Sequence, residues 1–166
     1  MDPRVKPEDD KSGDQDDHVK ENPMPHLVIL YTCQLDAEVQ MTSLCRQMAD
    51  AMLTVQDEEG KQVFPTGGTR VLAYPASHYA VADGGVAGRE AGGTGDYAFV
   101  YLNLRMGRGR SEATQQRVGQ TLLEVAKAFF APVMVQRHIG ITLQIDVGPE
   151  VFDAKHSNLH PLFNKA

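Results

Sequence analysis

The sequence predicts an α+β fold: two β-α-β units building a four-strand mixed sheet with two helices on one face. Three observations carry this. An apolar run at Leu27–Tyr31 and an alternating run at Ile139–Val147 read as strands near the two ends of the folded part. Two stretches between them repeat apolar residues at helical steps. Strand-like segments flank each helix, starting at 26 and 69 in one unit (offset 43) and at 97 and 139 in the other (offset 42). The chain therefore reads as a structural duplication, although side-chain identity between the halves is weak. Helices on one face leave the other sheet face open, and self-association is the obvious cover.

Residues 1–24 hold eight acidic and four basic side chains and almost nothing apolar. Such a segment cannot bury enough surface to offset its ordering entropy and reads as a disordered acidic extension. The composition breaks sharply at Pro23-Met24-Pro25, where the domain 25–166 begins. Two explanations stay open: a real solvated tail, or a start assigned too early. Met24 is itself a possible start, and we favour the second.

From Pro25 the elements follow in order. Leu27–Tyr31 is a continuous apolar run, as expected of a buried strand. Asp36 suits the cap of a helix whose apolar face is Met41, Leu44, Met48, Met52 and Val55, closed by Asp57-Glu58-Glu59-Gly60. Thr69–Tyr74 reads as a second strand stopped by Pro75. Residues 84–95 contain six glycines and read as a flexible loop. Tyr97–Leu104 is a third strand, rich in aromatic and β-branched residues. Gly107-Arg108-Gly109-Arg110 is a turn, and Ser111 caps a helix with Val118, Leu122, Val125 and Phe129 on one stripe. In the last strand Ile139, Ile141, Leu143, Ile145 and Val147 share one face, and Gly140, Thr142, Gln144 and Asp146 the other.

The bulk properties exclude several classes. The net charge is -6, of which -4 lies in residues 1–24, so no basic surface for nucleic acid is expected. No run of about 18 apolar residues predicts a membrane span. Cys33 and Cys45 form no CxxC pair, and two free thiols in a cytoplasmic protein is the plainest reading. His156 and His160 are four apart, but Pro161 follows and no third ligand is evident, so no metal site is expected. His78 and Tyr79 sit near the loop with nothing to specify a role.

Met24-Pro25-His26-Leu27-Val28-Ile29 opens a series of short matches. Phe64-Pro65, Gly68-Thr69-Arg70, Ala82-Asp83-Gly84, Asp96-Tyr97-Ala98-Phe99-Val100, Gly109-Arg110-Ser111 and Asn158-Leu159-His160-Pro161-Leu162-Phe163 follow in order. Together the chain resembles the 5-carboxymethyl-2-hydroxymuconate isomerases, a branch of the tautomerase superfamily, over nearly all of residues 25–166. The resemblance implies the tautomerase version of the duplicated fold, like that of macrophage migration inhibitory factor, a cytoplasmic homotrimer, and no metal, nucleotide or redox cofactor. It implies an isomerase of aromatic-acid breakdown, in the homoprotocatechuate route, acting on a small unsaturated hydroxy or oxo carboxylic acid. It implies an amino-terminal proline as base, a position that falls on Pro25, with His26, Arg70 and Arg110 at the substrate.

The chemistry of these residue types agrees. A proline before a strand is ordinarily an edge or turn residue. A free proline amine, however, is a rigid secondary amine, and α-amino groups titrate at about 7.7–8.0. An apolar pocket and nearby arginines lower that value, which suits a proton shuttle near neutrality. Arg70 and Arg110 can grip carboxylates bidentately and stabilise a dienolate. Arg110 also lies in a Gly-rich turn entering a helix N-terminus, an anion-friendly position. Arg105 and Arg108 read as solvated. Leu30 and Leu72 stand where some family members carry an acidic residue and an arginine. Two further readings therefore stay open: a hydratase- or dehalogenase-type activity on the same base, and a non-catalytic trimeric small-acid-binding protein with a blocked Pro25.

Overall fold

In the computed structural model the described residues are 25–148, 152 and 154–163. The acidic extension 1–24 lies outside them. The elements follow as β1 (His26–Thr32), α1 (Met41–Thr54), β2 (Arg70–Ala76), α2 (Val86–Glu90), β3 (Ala98–Met106), α3 (Glu112–Gln136) and β4 (Ile139–Val147). The sheet order is β2-β1-β3-β4. Each β-α-β unit supplies a parallel pair, β1 with β2 and β3 with β4, and the units meet through antiparallel β1 and β3. This is the mixed four-strand sheet expected from the duplication.

Alternation decides which face is core. Leu27, Ile29 and Tyr31 of β1 and Ala98, Val100, Leu102, Leu104 and Met106 of β3 are buried beneath the helices. Leu44, Met48 and Met52 of α1 and Val118, Leu122, Ala126 and Phe130 of α3 meet them. Ile139, Ile141, Leu143 and Ile145 pack against the same cluster, as their alternation predicts. Fully burying such a side chain stabilises the fold by about 1.5–3 kcal/mol. The α3 stripe differs slightly from expectation: the line at steps of four runs through Ala126 and Phe130, and Val125 and Phe129 flank it half-buried. Among the described helices α3 is long and apolar enough to cross a membrane, which the sequence reading did not register. Here its apolar stripe is used against the sheet.

Three other expectations are corrected. Asp36 does not cap α1, which starts after Gln40. It sits in a 3-10 turn over Cys33–Ala37 and accepts a 2.6 Å hydrogen bond from the Tyr31 hydroxyl. Burial first, and this bond second, push the Tyr31 pKa up to about 12. Pro75 does not stop β2, which runs on to Ala76. β2 is an edge strand, and a proline is tolerated where no ladder donor is needed. Residues 84–95 are not all loop, because Val86–Glu90 is helical. The Asp83 carboxylate makes this possible by accepting from the backbone N–H groups of Gly85, Val86 and Ala87. Those bonds lower the Asp83 pKa, that from Ala87 foremost. Ser111 caps α3 as expected, accepting from the Thr114 N–H at 3.1 Å. Cys33 and Cys45 are free thiols.

Candidate active site

Pro25 is buried at the head of β1, and the strand register fixes its surroundings. His26 pairs with Arg70 of β2 on one side and Arg105 of β3 on the other, and Arg105 pairs with Asp146 of β4. Side chains in one row point the same way. Since Leu27 faces the helices, His26, Arg70, Arg105 and Asp146 form a polar row on the open face, next to Pro25. Above them lie Leu72, Val28, Asn103 and Gln144, then Tyr74, Leu30, Tyr101 and Thr142. Leu30, Leu72 and Tyr74 remain 45–49% exposed on this face. The register thus shows what the sequence could not, that Arg105 shares the Pro25 end. Arg105 and Arg108 are exposed, as expected of solvated side chains.

Arg70 enters β2 from a tight 3-10 turn, Thr66–Gly68, built on Pro65. The Pro65 carbonyl accepts from the N–H groups of Gly68 and Thr69 and from the Thr69 hydroxyl. Arg70 Nη1 donates to the Gly67 carbonyl at 3.0 Å, so the turn orients the guanidinium that follows it. Over the turn lies the C-terminal segment. Gly67 has no Cβ, and an added one would stand 3.0 Å from Phe163 Cδ2 and 3.2 Å from His160 Nδ1.

Arg110 sits in the turn after β3, at the same end of the sheet. Gly109 takes a φ of 104°, which glycine adopts without strain. The half-buried guanidinium donates to the carbonyls of Val63 at 3.0 Å and Gly107 at 3.3 Å, and lies 5.4 Å above the Phe64 ring. Its pKa is lowered by burial. Five N–H donors are available and two carbonyls are served, so donors remain for a ligand.

The α3 N-terminus itself is already occupied. The Glu58 carboxylate accepts from the hydroxyls of Ser111 and Thr114, the latter at 2.8 Å. These bonds, that from Ser111 foremost, hold the Glu58 pKa below its ordinary value. The anion that the helix end favours is therefore the protein's own, and any pull of Arg110 on a ligand comes from its guanidinium. Nothing in the local sequence links Glu58 to Ser111, since they are 53 residues apart.

The structure thus collects Pro25, His26, Arg70 and Arg110 at one end of the sheet. The other end carries a cavity of about 750 Å³ between α2 and the end of α3, lined by Asp83, Tyr97, Met134, Arg137 and His138 among others. Three of its polar groups are committed: Tyr97 accepts from the Gly88 N–H, Asp83 from the N–H groups of Gly85, Val86 and Ala87, and Arg137 pairs with Glu38 and Asp96. Among the described residues no three His, Cys, Asp or Glu side chains form a group able to hold a metal.

Comparison with known proteins bears on the family of the chain. The sequence model of the 5-carboxymethyl-2-hydroxymuconate isomerase family matches residues 25–163. A 5-carboxymethyl-2-hydroxymuconate Delta-isomerase of Escherichia coli is 26% identical over 140 residues, 84% of this chain and 99% of that protein. A crystal structure of a 5-carboxymethyl-2-hydroxymuconate delta-isomerase is 66% identical with a TM-score of 0.84, covering 86% of this chain and 95% of the other. A 5-carboxymethyl-2-hydroxymuconate isomerase from Deinococcus radiodurans R1 is 31% identical with a TM-score of 0.70, covering 86% and 96%.

Proposed function

The chain belongs to the 5-carboxymethyl-2-hydroxymuconate isomerase family, and from that premise we propose that Pro25, Arg70 and Arg110 form its active site. The protein is an isomerase. The substrate class is a small unsaturated hydroxy or oxo acid with more than one carboxylate, as the relatives' names imply. The Pro25 amine takes a proton from the enol hydroxyl or an allylic carbon. The freed electron pair shifts the double bonds, and the same proton returns to another carbon, so nothing is gained or lost overall. Arg70 and Arg110 hold carboxylates and the developing oxyanion, and His26 borders the substrate. The observation that carries the reading is the register, which brings the head of β1, the head of β2 and the turn after β3 to one sheet end.

An amide nitrogen cannot act as this base, because its lone pair is shared with the carbonyl. The active form therefore begins at Pro25. We also assign a homotrimeric state, supported by the open sheet face with Leu30, Leu72 and Tyr74 exposed, and a cytoplasmic location, which rests on the family resemblance alone. The isomerase assignment disfavours a hydratase or dehalogenase on the same base. The test is a pH–rate profile on 2-hydroxymuconate with protein beginning at Pro25. The acid limb should report an amine titrating below about 7.7. Pro25→Ala keeps a primary amine, so its limb should move and its rate should fall. A limb unchanged by that substitution overturns the assignment.

A further inference from the structure

We propose that the C-terminal turn His160–Leu162, with Phe163, is a positioning element for Arg70, acting through Gly67. The inference rests on the reading of Arg70 as a substrate-binding group. Three observations meet at Gly67. Its carbonyl holds Arg70 Nη1 at 3.0 Å. Its α-carbon faces His160 and Phe163 so closely that an added Cβ would stand 3.0 Å from Phe163 Cδ2 and 3.2 Å from His160 Nδ1, tighter than Cβ contacts ordinarily are. The turn that contains it packs on the His160–Leu162 turn.

The C-terminal turn is closed by its own bonds, Leu162 N–H to Leu159 O and Phe163 N–H to His160 O, both 3.0 Å. It does not extend the sheet, and it contributes none of the fully buried core side chains. Leu159, Leu162 and Phe163 remain 49–65% exposed, so the segment gains little as hydrophobic cover. What it covers instead is the hinge of Arg70. Leu159 and Phe163 also share with Gly67, Thr69 and Arg70 the wall of a groove of about 510 Å³ along the free edge of β2. The three-residue turn is held at Pro65 and Thr66, by bonds from Gly68, Thr69 and Gln62, and over Gly67 itself lie His160 and Phe163. With Phe163 and the His160 backbone above it, the Gly67 carbonyl is pinned, and with it the guanidinium. In this role the tail acts by fixing Arg70.

Two substitutions loosen the contact without touching Arg70. Phe163→Ala removes the ring over Gly67. Gly67→Ala inserts a Cβ 3.0 Å from Phe163 Cδ2 and 3.4 Å from His160 Cα, which pushes the tail back by a few tenths of an ångström. Steady-state rates on 2-hydroxymuconate are measured for each in otherwise native and Arg70→Ala backgrounds. In the native background each should change the parameter that Arg70→Ala changes, by about fivefold, well short of the ~100-fold that a 1 Å misplacement of a reacting group costs. Phe163→Leu should recover most of the loss. In the Arg70→Ala background each should have no further effect, since the residue acted upon is gone. A purely structural role would multiply the two losses, and that result overturns the proposal, as does an unchanged rate in the Phe163→Ala enzyme. If Arg70→Ala is itself without effect, the reading of Arg70 falls and this inference with it. An effect of Arg70→Ala with additive tail variants sinks the inference alone.

Discussion

Arg110→Ala should separate dicarboxylate from monocarboxylate substrates. The guanidinium is half-buried over the Phe64 ring and holds the Val63 and Gly107 carbonyls at 3.0 and 3.3 Å. Hydrogen bonds from a charged donor contribute about 1.5–3 kcal/mol, or roughly 10- to 150-fold in affinity. Half exposure screens the pair, so the lower part of that range applies, about 10- to 30-fold in KM. A matched monocarboxylate enol that does not reach Arg110 should lose less than about threefold by the same reckoning. Stability should also fall. Two carbonyls lose a donor at ~1–3 kcal/mol each, but water can reach the opened site, leaving roughly 1–2 kcal/mol. For a chain of this length that lowers Tm by about 2–8 °C. The assay is initial rates on both substrates with enzyme beginning at Pro25, alongside a thermal melt. Arg110→Lys keeps the charge but loses the fork, and should recover only part of the dicarboxylate KM. An equal rise of both KM values, or no rise in either, would refute the role given to Arg110.

Other outcomes follow from the same geometry. Ser111→Ala should cost about 1 kcal/mol through the lost α3 cap, read as a Tm lower by about 2–4 °C. Glu58 has its folded pKa lowered, so its contribution is present above the ordinary carboxylate range and is lost as pH falls through the lowered value. Hence the Tm gap between the native chain and Glu58→Gln should be open at neutral pH and close below about pH 4, whereas a gap constant across that range contradicts the assignment. Light scattering should return about three protomer masses, as the proposed homotrimer predicts; a clean monomer at micromolar concentration would contradict it.

The central layers were legible because their signals are local. The apolar run of β1 and the alternation of β4 depend on residues that read their own period. The α1 face at Met41, Leu44, Met48 and Met52 is buried as its spacing predicts. What was not legible depends on partners far along the chain. Pro75 can lie in β2 only because that strand is an edge, which is a property of the sheet order. The helix α2 hangs on the Asp83 carboxylate serving three N–H groups, a pattern hidden among six glycines. At the proposed site, Pro25, Arg70 and Arg110 were singled out by motif, and register explains how they share a sheet end. Glu58 on the α3 N-terminus and Phe163 on Gly67 have no local periodicity that could reveal them.

The claim on which the rest depends is that Pro25 works as a free amine. It is tested most directly by comparing two mass-verified proteins on 2-hydroxymuconate, one beginning at Pro25 and one retaining all residues 1–24. Both should fold, because residues 25–163 match the family model by themselves. The form beginning at Pro25 should isomerise the substrate, and the longer form should be slower by at least about 100-fold, the lower end of what a general base contributes. Equal rates in the two forms would contradict the account, since the Pro25 nitrogen of the longer protein is an amide.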